Sequence, residues 1–226
     1  MTIGEANSQL IVRHFDVPQS YQSSWLSMKD FTRDRHEASA DEVWLLEHEP
    51  VFTLGIRERA EDIIDSGDIP VVKSDRGGLI TYHGPGQMVA YVLLDLRRLD
   101  TGLKSLVNIL EQTAIDLLST QGIEAARKEN APGVYTNGSK IASIGLRVQH
   151  GCTYHGLSLN VDMDLTPFER IVPCGLEGIK MTDMKAVGAE TDINSIGRQF
   201  IQVLSSKLGY NPVFDDLDGS SHDDDE

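Results

Sequence analysis

The sequence predicts a mixed α+β sheet in a single domain. Short apolar strand-like runs flank a hairpin signal at Asn137-Gly138, and helical spacing recurs in three separate segments. Strands and helices do not alternate in the regular way that a βαβ series requires. At 226 residues with 40% hydrophobic content, the chain is long enough for one sizeable core.

The elements follow in order. Tyr21, Trp25 and Met28 recur at helical spacing between Pro18 and about His36, with Pro18 suited to a first turn. The runs Val43 to Leu46 and Val51 to Leu54, split by Pro50, predict two strands around a turn. "MVAYVLLDL" reads as a buried strand. Leu103, Leu106, Val107, Leu110, Ala114, Leu117 and Leu118 mark one face of a helix, and Gly122 lies just past its end. Asn137-Gly138 is the strongest local hairpin signal, with Lys140 at the start of the return strand. "HGLSLNVDM" alternates and predicts a half-buried strand. Ile193, Ile196, Phe200, Val203 or Leu204, and Leu208 outline a last helix ending at Gly209. The expected boundaries are residues 1–212 for the folded domain and 213–226 for an acidic, disordered tail.

The formal charge of -15 argues against nucleic-acid binding, which depends on clustered Lys and Arg. Much of that charge lies in "DDLDGSSHDDDE", where the Asp run with His222 leaves a metal or partner role open. Two cysteines do not make a disulfide framework, and the opening residues lack the pattern of a secretory signal. With no apolar run of the ~18 residues that a membrane span needs, the expected location is the cytoplasm.

Four features could carry chemistry. "RGGLITYHGPGQ" offers backbone amides without intervening side chains, and reads as a ligand-cradling loop or as a pair of tight turns. It is neither a G-x-G-x-x-G loop nor a P-loop, so it gives nucleotide binding no support. His83 is a candidate proton carrier or a turn cap. Cys174 sits between Pro173 and Gly175, which leaves the sulfur approachable; it is a nucleophile if a cation or base lies beside it, and a small buried hydrophobe otherwise. Lys140, His83, His150 and His155 are the candidates for that neighbour. Strict alternation puts Lys140 on a strand face with Ala142 and Ile144, and makes it a candidate base if that face is interior or a solvated charge if it is not. "HGCTYH" lacks a fourth ligand for zinc, so Cys152 reads as structural and His155 as ordering a loop or touching substrate.

Together "RGGLITYHGPGQ", "GSKIASIGLRV", "HGLSLNV" and "PCGL" resemble the lipoyl(octanoyl) transferases, from about Val43 to about Val187. The resemblance implies the biotin/lipoate protein ligase fold, a largely antiparallel mixed sheet flanked by helices. It implies transfer of an octanoyl group from acyl carrier protein through a cysteine thioester to a lysine of a lipoyl domain, in lipoate biosynthesis. Cys174 would be the nucleophile and Lys140 its activating partner. Arg76, Gly77, Gly78, Leu79, Ile80, Thr81, Tyr82 and His83, with Ser143, Ile144 and Gly145 and with Gly156, Leu157 and Ser158, would contact substrate. The implied partners are acyl carrier protein, the lipoyl domains of 2-oxoacid dehydrogenase complexes and the glycine cleavage H protein, with no membrane and no nucleic acid. No cofactor is expected: neither ATP nor a metal, because the donor is already a thioester. Docking an acidic carrier would call on Arg57, Arg59, Lys73, Arg76, Arg97, Arg98, Arg127 or Lys128. The alternatives are an ATP-dependent lipoate or biotin ligase, an acyl-cysteine hydrolase and a non-catalytic acyl-binding protein.

Overall fold

The computed structural model describes residues 9–57, 62–172 and 179–216. Its strands are β1 (Gln9–His14), β2 (Asp41–Leu46), β3 (Val51–Leu54), β4 (Val71–Lys73), β5 (Ile80–His83), β6 (Gln87–Leu93), β7 (Ala126–Lys128), β8 (Ala131–Thr136), β9 (Ser139–Gln149), β10 (Cys152–Asn160) and β11 (Asn211–Asp216). The helices are α1 (Tyr21–Asp34), α2 (Leu103–Thr120) and α3 (Ile193–Leu208). Eight strands form one sheet in the order β11-β1-β2-β6-β10-β9-β8-β7, and β4-β3-β5 form a second. In the large sheet only β1 pairs in parallel, with β11 and with β2. Among the described residues no helix is long and apolar enough to cross a membrane.

Alternation along the central strands sorts the two faces of the large sheet. Met88, Ala90 and Val92 of β6 and Leu157 and Leu159 of β10 meet Leu106, Leu110 and Leu117 of α2 and Ile196, Phe200 and Leu204 of α3. Val89, Tyr91 and Leu93 point the other way, toward Met28 of α1. Because both faces are covered, all nine residues of β10 are buried, where the sequence predicted a half-buried strand. α3 begins at Asp192, whose carboxylate accepts from Asn194 N–H, and ends at Gly209 with φ 73°.

The two strands expected on either side of Pro50 both form, β2 in the large sheet between β1 and β6 and β3 paired with β4 and β5. One further expectation is corrected. The boundary expected at 213 falls inside β11, which pairs with β1 through Asp216. The main-chain ladder holds this segment despite its acidic character. Tyr210, just before β11, donates its hydroxyl to the buried Asp41, which also accepts from Arg35 and from the Asp95 N–H. Residues 217–226, with the Asp run and His222, lie outside the described residues.

Candidate active site

Lys140 is placed by a one-residue irregularity. β8 and β9 pair as Thr136 with Ser139 and Tyr135 with Lys140, and then as Val134 with Ala142, so Ile141 is an extra residue on β9. A shift of one residue exchanges the faces of a strand. Ile141 and Ala142 therefore lie in the core beneath α2, while Lys140 joins Ser143 and Gly145 on the other side. This corrects the expected grouping of Lys140 with Ala142 and Ile144. Lys140 is 2% exposed. Its Nζ donates to Pro132 O at 2.9 Å and lies 5.4 Å from the centroid of the Tyr135 ring.

The turn that returns the chain to Lys140 is the one the sequence indicated: Asn137 and Gly138 have φ 49° and 79°. Gly133 makes room for the lysine, since a Cβ there would lie 2.9 Å from Lys140 Cε and 2.6 Å from Ala142 O.

Lys140 lines a cavity of about 350 Å³, within the range usual for small-molecule sites. Of the sequence-predicted contact residues, Arg76, Gly77, Gly78, Leu79, Ile80, Thr81, His83, Ser143, Ile144, Gly145, Gly156, Leu157 and Ser158 all line it. Tyr82 is not among its lining residues, because its ring packs between Phe52 and Phe168 at centroid distances of 5.6 and 5.5 Å. Cys174 lies outside the described residues. The segments flanking residues 173–178 are anchored: Val172 N–H donates to Asp62 O at 2.8 Å, and Lys140 N–H donates to Lys180 O at 2.8 Å.

The glycine-rich segment cradles this cavity rather than forming isolated turns. Gly77 N–H donates to Leu146 O at 3.0 Å, and a Cβ on Gly145 would meet Gly77 O at 3.0 Å. Gly145 pairs directly with Gly156, where an added Cβ would lie 1.9 Å from Ala90 O. The paired glycines, with the Ser143–Ser158 pair beside them, leave a shallow floor between taller side chains. The Arg76 guanidinium is held in the wall by Thr53, donating from Nε to Oγ1 at 3.1 Å and from Nη2 to Oγ1 at 2.8 Å.

At the opposite end the sequence had pointed to His83 and to His155, and both line the cavity; Tyr21 and Tyr91, which line it beside them, and His48 behind them were missed. His155 has φ 62°, a left-handed conformation uncommon for a residue with a side chain. It places the ring beside Tyr21 and Tyr91, on the α1 side of the sheet. Asp75 receives His155 Nε2–H at 3.0 Å, Trp25 Nε1–H at 2.8 Å and the Tyr154 hydroxyl at 2.6 Å. Burial opposes ionisation of Asp75, but these donors outweigh it and hold its carboxyl well below the usual range. Burial likewise lowers the pKa of His48, His83 and His155, and brings His48 to about 4. Neutral His48 donates from Nδ1 to Gln19 O at 2.9 Å and accepts the Tyr91 hydroxyl on Nε2 at 2.5 Å. His155 Nδ1 has no hydrogen-bond partner among the described residues. For the missed residues, a signal that could have pointed here is Asp75, adjacent to the Arg76 motif.

The metal set considered from "HGCTYH" is dispersed by these contacts. His155 Nε2 is engaged by Asp75, Cys152 is buried near Arg97, and His150 is exposed in the turn. The docking residues are constrained too. Arg97 is paired with Asp95, Arg127 with Glu111, and Arg98 is 16% exposed against Asp41.

The lipoyl protein ligase A/B catalytic domain family matches residues 20–205. An octanoyltransferase from Ectopseudomonas mendocina (strain ymp) is 53% identical over 203 residues, covering 89% of this chain and 98% of that protein. The chain belongs to the octanoyltransferases of this family. An octanoyltransferase from Nitrosococcus oceani is 51% identical over 196 residues, covering 87% of this chain and 88% of the relative. In fold the chain is similar to a lipoate-protein ligase A whose crystal structure was determined bound with ATP, with TM-score 0.76, 16% identity, and 93% and 89% of the two chains covered. As a member of this family the protein is an acyltransferase that moves octanoyl groups in protein lipoylation.

Proposed function

We propose that the octanoyl group comes from acyl carrier protein, is held as a thioester on Cys174, and passes to the ε-amine of a lysine on a lipoyl domain. The observation that carries this reading is the placement of Lys140. It is buried in the cavity wall, on the face with Ser143 and Gly145, and its main chain is bonded to Lys180, a few residues beyond Cys174.

In the first step the Cys174 thiol gives its proton to the Lys140 amine, and the thiolate attacks the donor carbonyl. The carbonyl–sulfur bond to the carrier breaks, Lys140 gives its proton to the departing carrier sulfur, and the carrier leaves as a thiol with Lys140 neutral again. One thioester replaces another, so the step is close to isoenergetic and calls for no ATP. In the second step the acceptor amine attacks the acyl-cysteine, an amide forms, Cys174 leaves as thiolate, and the amine's proton returns to it through Lys140. The amide is the more stable product and draws the sequence forward. The negative charge that develops on the carbonyl oxygen needs donors, and main-chain N–H groups of the glycine-rich loop other than that of Gly77, which is given to Leu146 O, serve that role in this reading.

The acceptors are lipoyl domains of 2-oxoacid dehydrogenase complexes and the glycine cleavage H protein. The reduced thiol this route requires fits the cytoplasm. Arg57 lines the cavity and is exposed, so it is the docking cation this reading favours. The test is transfer from octanoyl carrier protein to a lipoyl domain with ATP omitted. Full transfer that is lost in Cys174→Ala is expected, and transfer that requires ATP or survives Cys174→Ala contradicts the relay.

A further inference from the structure

We propose that Tyr91, with Tyr21 and His155 around it, is the stop that sets the length of acyl chain the enzyme accepts. The inference rests on the relay above for which end of the cavity holds the reacting carbonyl.

The sheet itself supplies the ruler. Lys140 Nζ is bonded to Pro132 on β8, and Tyr91 is on β6, with β9 and β10 between them. The register places Gly145, Gly156 and Tyr91 in one line across the strands. Three strand spacings of 4.7–4.9 Å set the main chains of β8 and β6 about 14 Å apart. An extended octanoyl chain has seven bonds from carbonyl carbon to methyl, which at ~1.5 Å and ~111° span about 9 Å. A contact of about 4 Å with an aromatic ring fills most of what remains. A decanoyl chain is about 2.5 Å longer on the same geometry and meets the ring before its carbonyl reaches Lys140.

This end is rigid where the middle is bare. Between the two ends the line passes over paired glycines, whereas Tyr91 is fastened through its hydroxyl to His48, and His48 to Gln19 O. Tyr21 stacks on His83 and His155 at 5.8 and 6.5 Å, and Asp75 holds His155. A longer chain would have to displace this bonded set rather than one rotamer.

The experiment compares Tyr91→Leu, Tyr91→Phe and the unaltered enzyme in transfer of octanoyl, decanoyl and dodecanoyl groups from carrier protein to a lipoyl domain. Calorimetric affinities for free octanoate, decanoate and dodecanoate are measured in parallel. Removing the ring is expected to raise the decanoyl-to-octanoyl ratio about tenfold or more, the range that one or two methylenes produce in a shaped pocket. Tyr91→Phe keeps the ring and is expected to keep the octanoyl preference. Should Tyr91→Leu not fold, Tyr21→Leu, on α1, opens the same wall. An unchanged ratio in a folded leucine variant, or an equal shift in Tyr91→Phe, overturns the proposal. If the unaltered enzyme fails to transfer without ATP, the relay fails, and the free-acid affinities still decide the stop.

Discussion

Lys140 owes its position to two neighbours rather than to its own chemistry. Ile141, the extra residue on β9, turns it from the core face to the cavity, and Gly133 leaves space for its last two atoms. Gly133 has φ 129°, so alanine there is strained as well as crowded. Gly133→Ala is expected to cost about 1–2 kcal/mol of stability and to reduce kcat more than KM, because Lys140 must shift while the acyl slot is untouched. Chemical unfolding alongside steady-state kinetics checks this; unchanged kcat in the folded variant would show that the lysine's placement is not demanding.

At the scale of elements, local signals were legible and pairings were not. α1, α2, α3 and the Asn137-Gly138 hairpin stood out because each is specified by neighbours a few residues apart, through helical spacing, Gly209 or the turn pair. β1 and β11 escaped notice because their parallel pairing joins Gln9 to Asn211, residues at opposite ends of the chain. β7 carries no pattern because all three of its residues are exposed. The two strands either side of Pro50 were legible for the same local reason, whereas the sheet to which each belongs is fixed by distant partners. Within the site, the motif residues were legible as a set, whereas Tyr21, His48, Asp75, Tyr91 and Tyr154 come from separate elements and meet only in the fold.

Across the whole molecule, the histidine cluster ties α1, the small sheet and the large sheet together, and it makes stability depend on pH. His48, His83 and His155 face one another, Tyr21, Tyr91 and Arg76, with ionised Asp75 beside His155. Burial lowers each histidine's pKa, so the unfolded chain takes up protons first as pH falls. Stability is therefore full above about 6.5, the ordinary histidine value, and declines toward the folded value. For His48, lowered to about 4, the loss amounts to about 3 kcal/mol over that window. Urea unfolding at pH 7.5, 6.5 and 5.5 should show a falling free energy before carboxylates begin to titrate. A flat profile would mean that the cluster opens to water on protonation.

The acyl relay between Lys140 and Cys174 stands or falls on intact-protein mass spectrometry after mixing with octanoyl carrier protein, without ATP. One octanoyl increment is expected that is absent in Cys174→Ala, forms at least about a hundredfold more slowly in Lys140→Ala, and is discharged by a lipoyl domain. An unaltered enzyme that transfers octanoyl yet never carries the increment, or an increment that persists in Cys174→Ala, would contradict it.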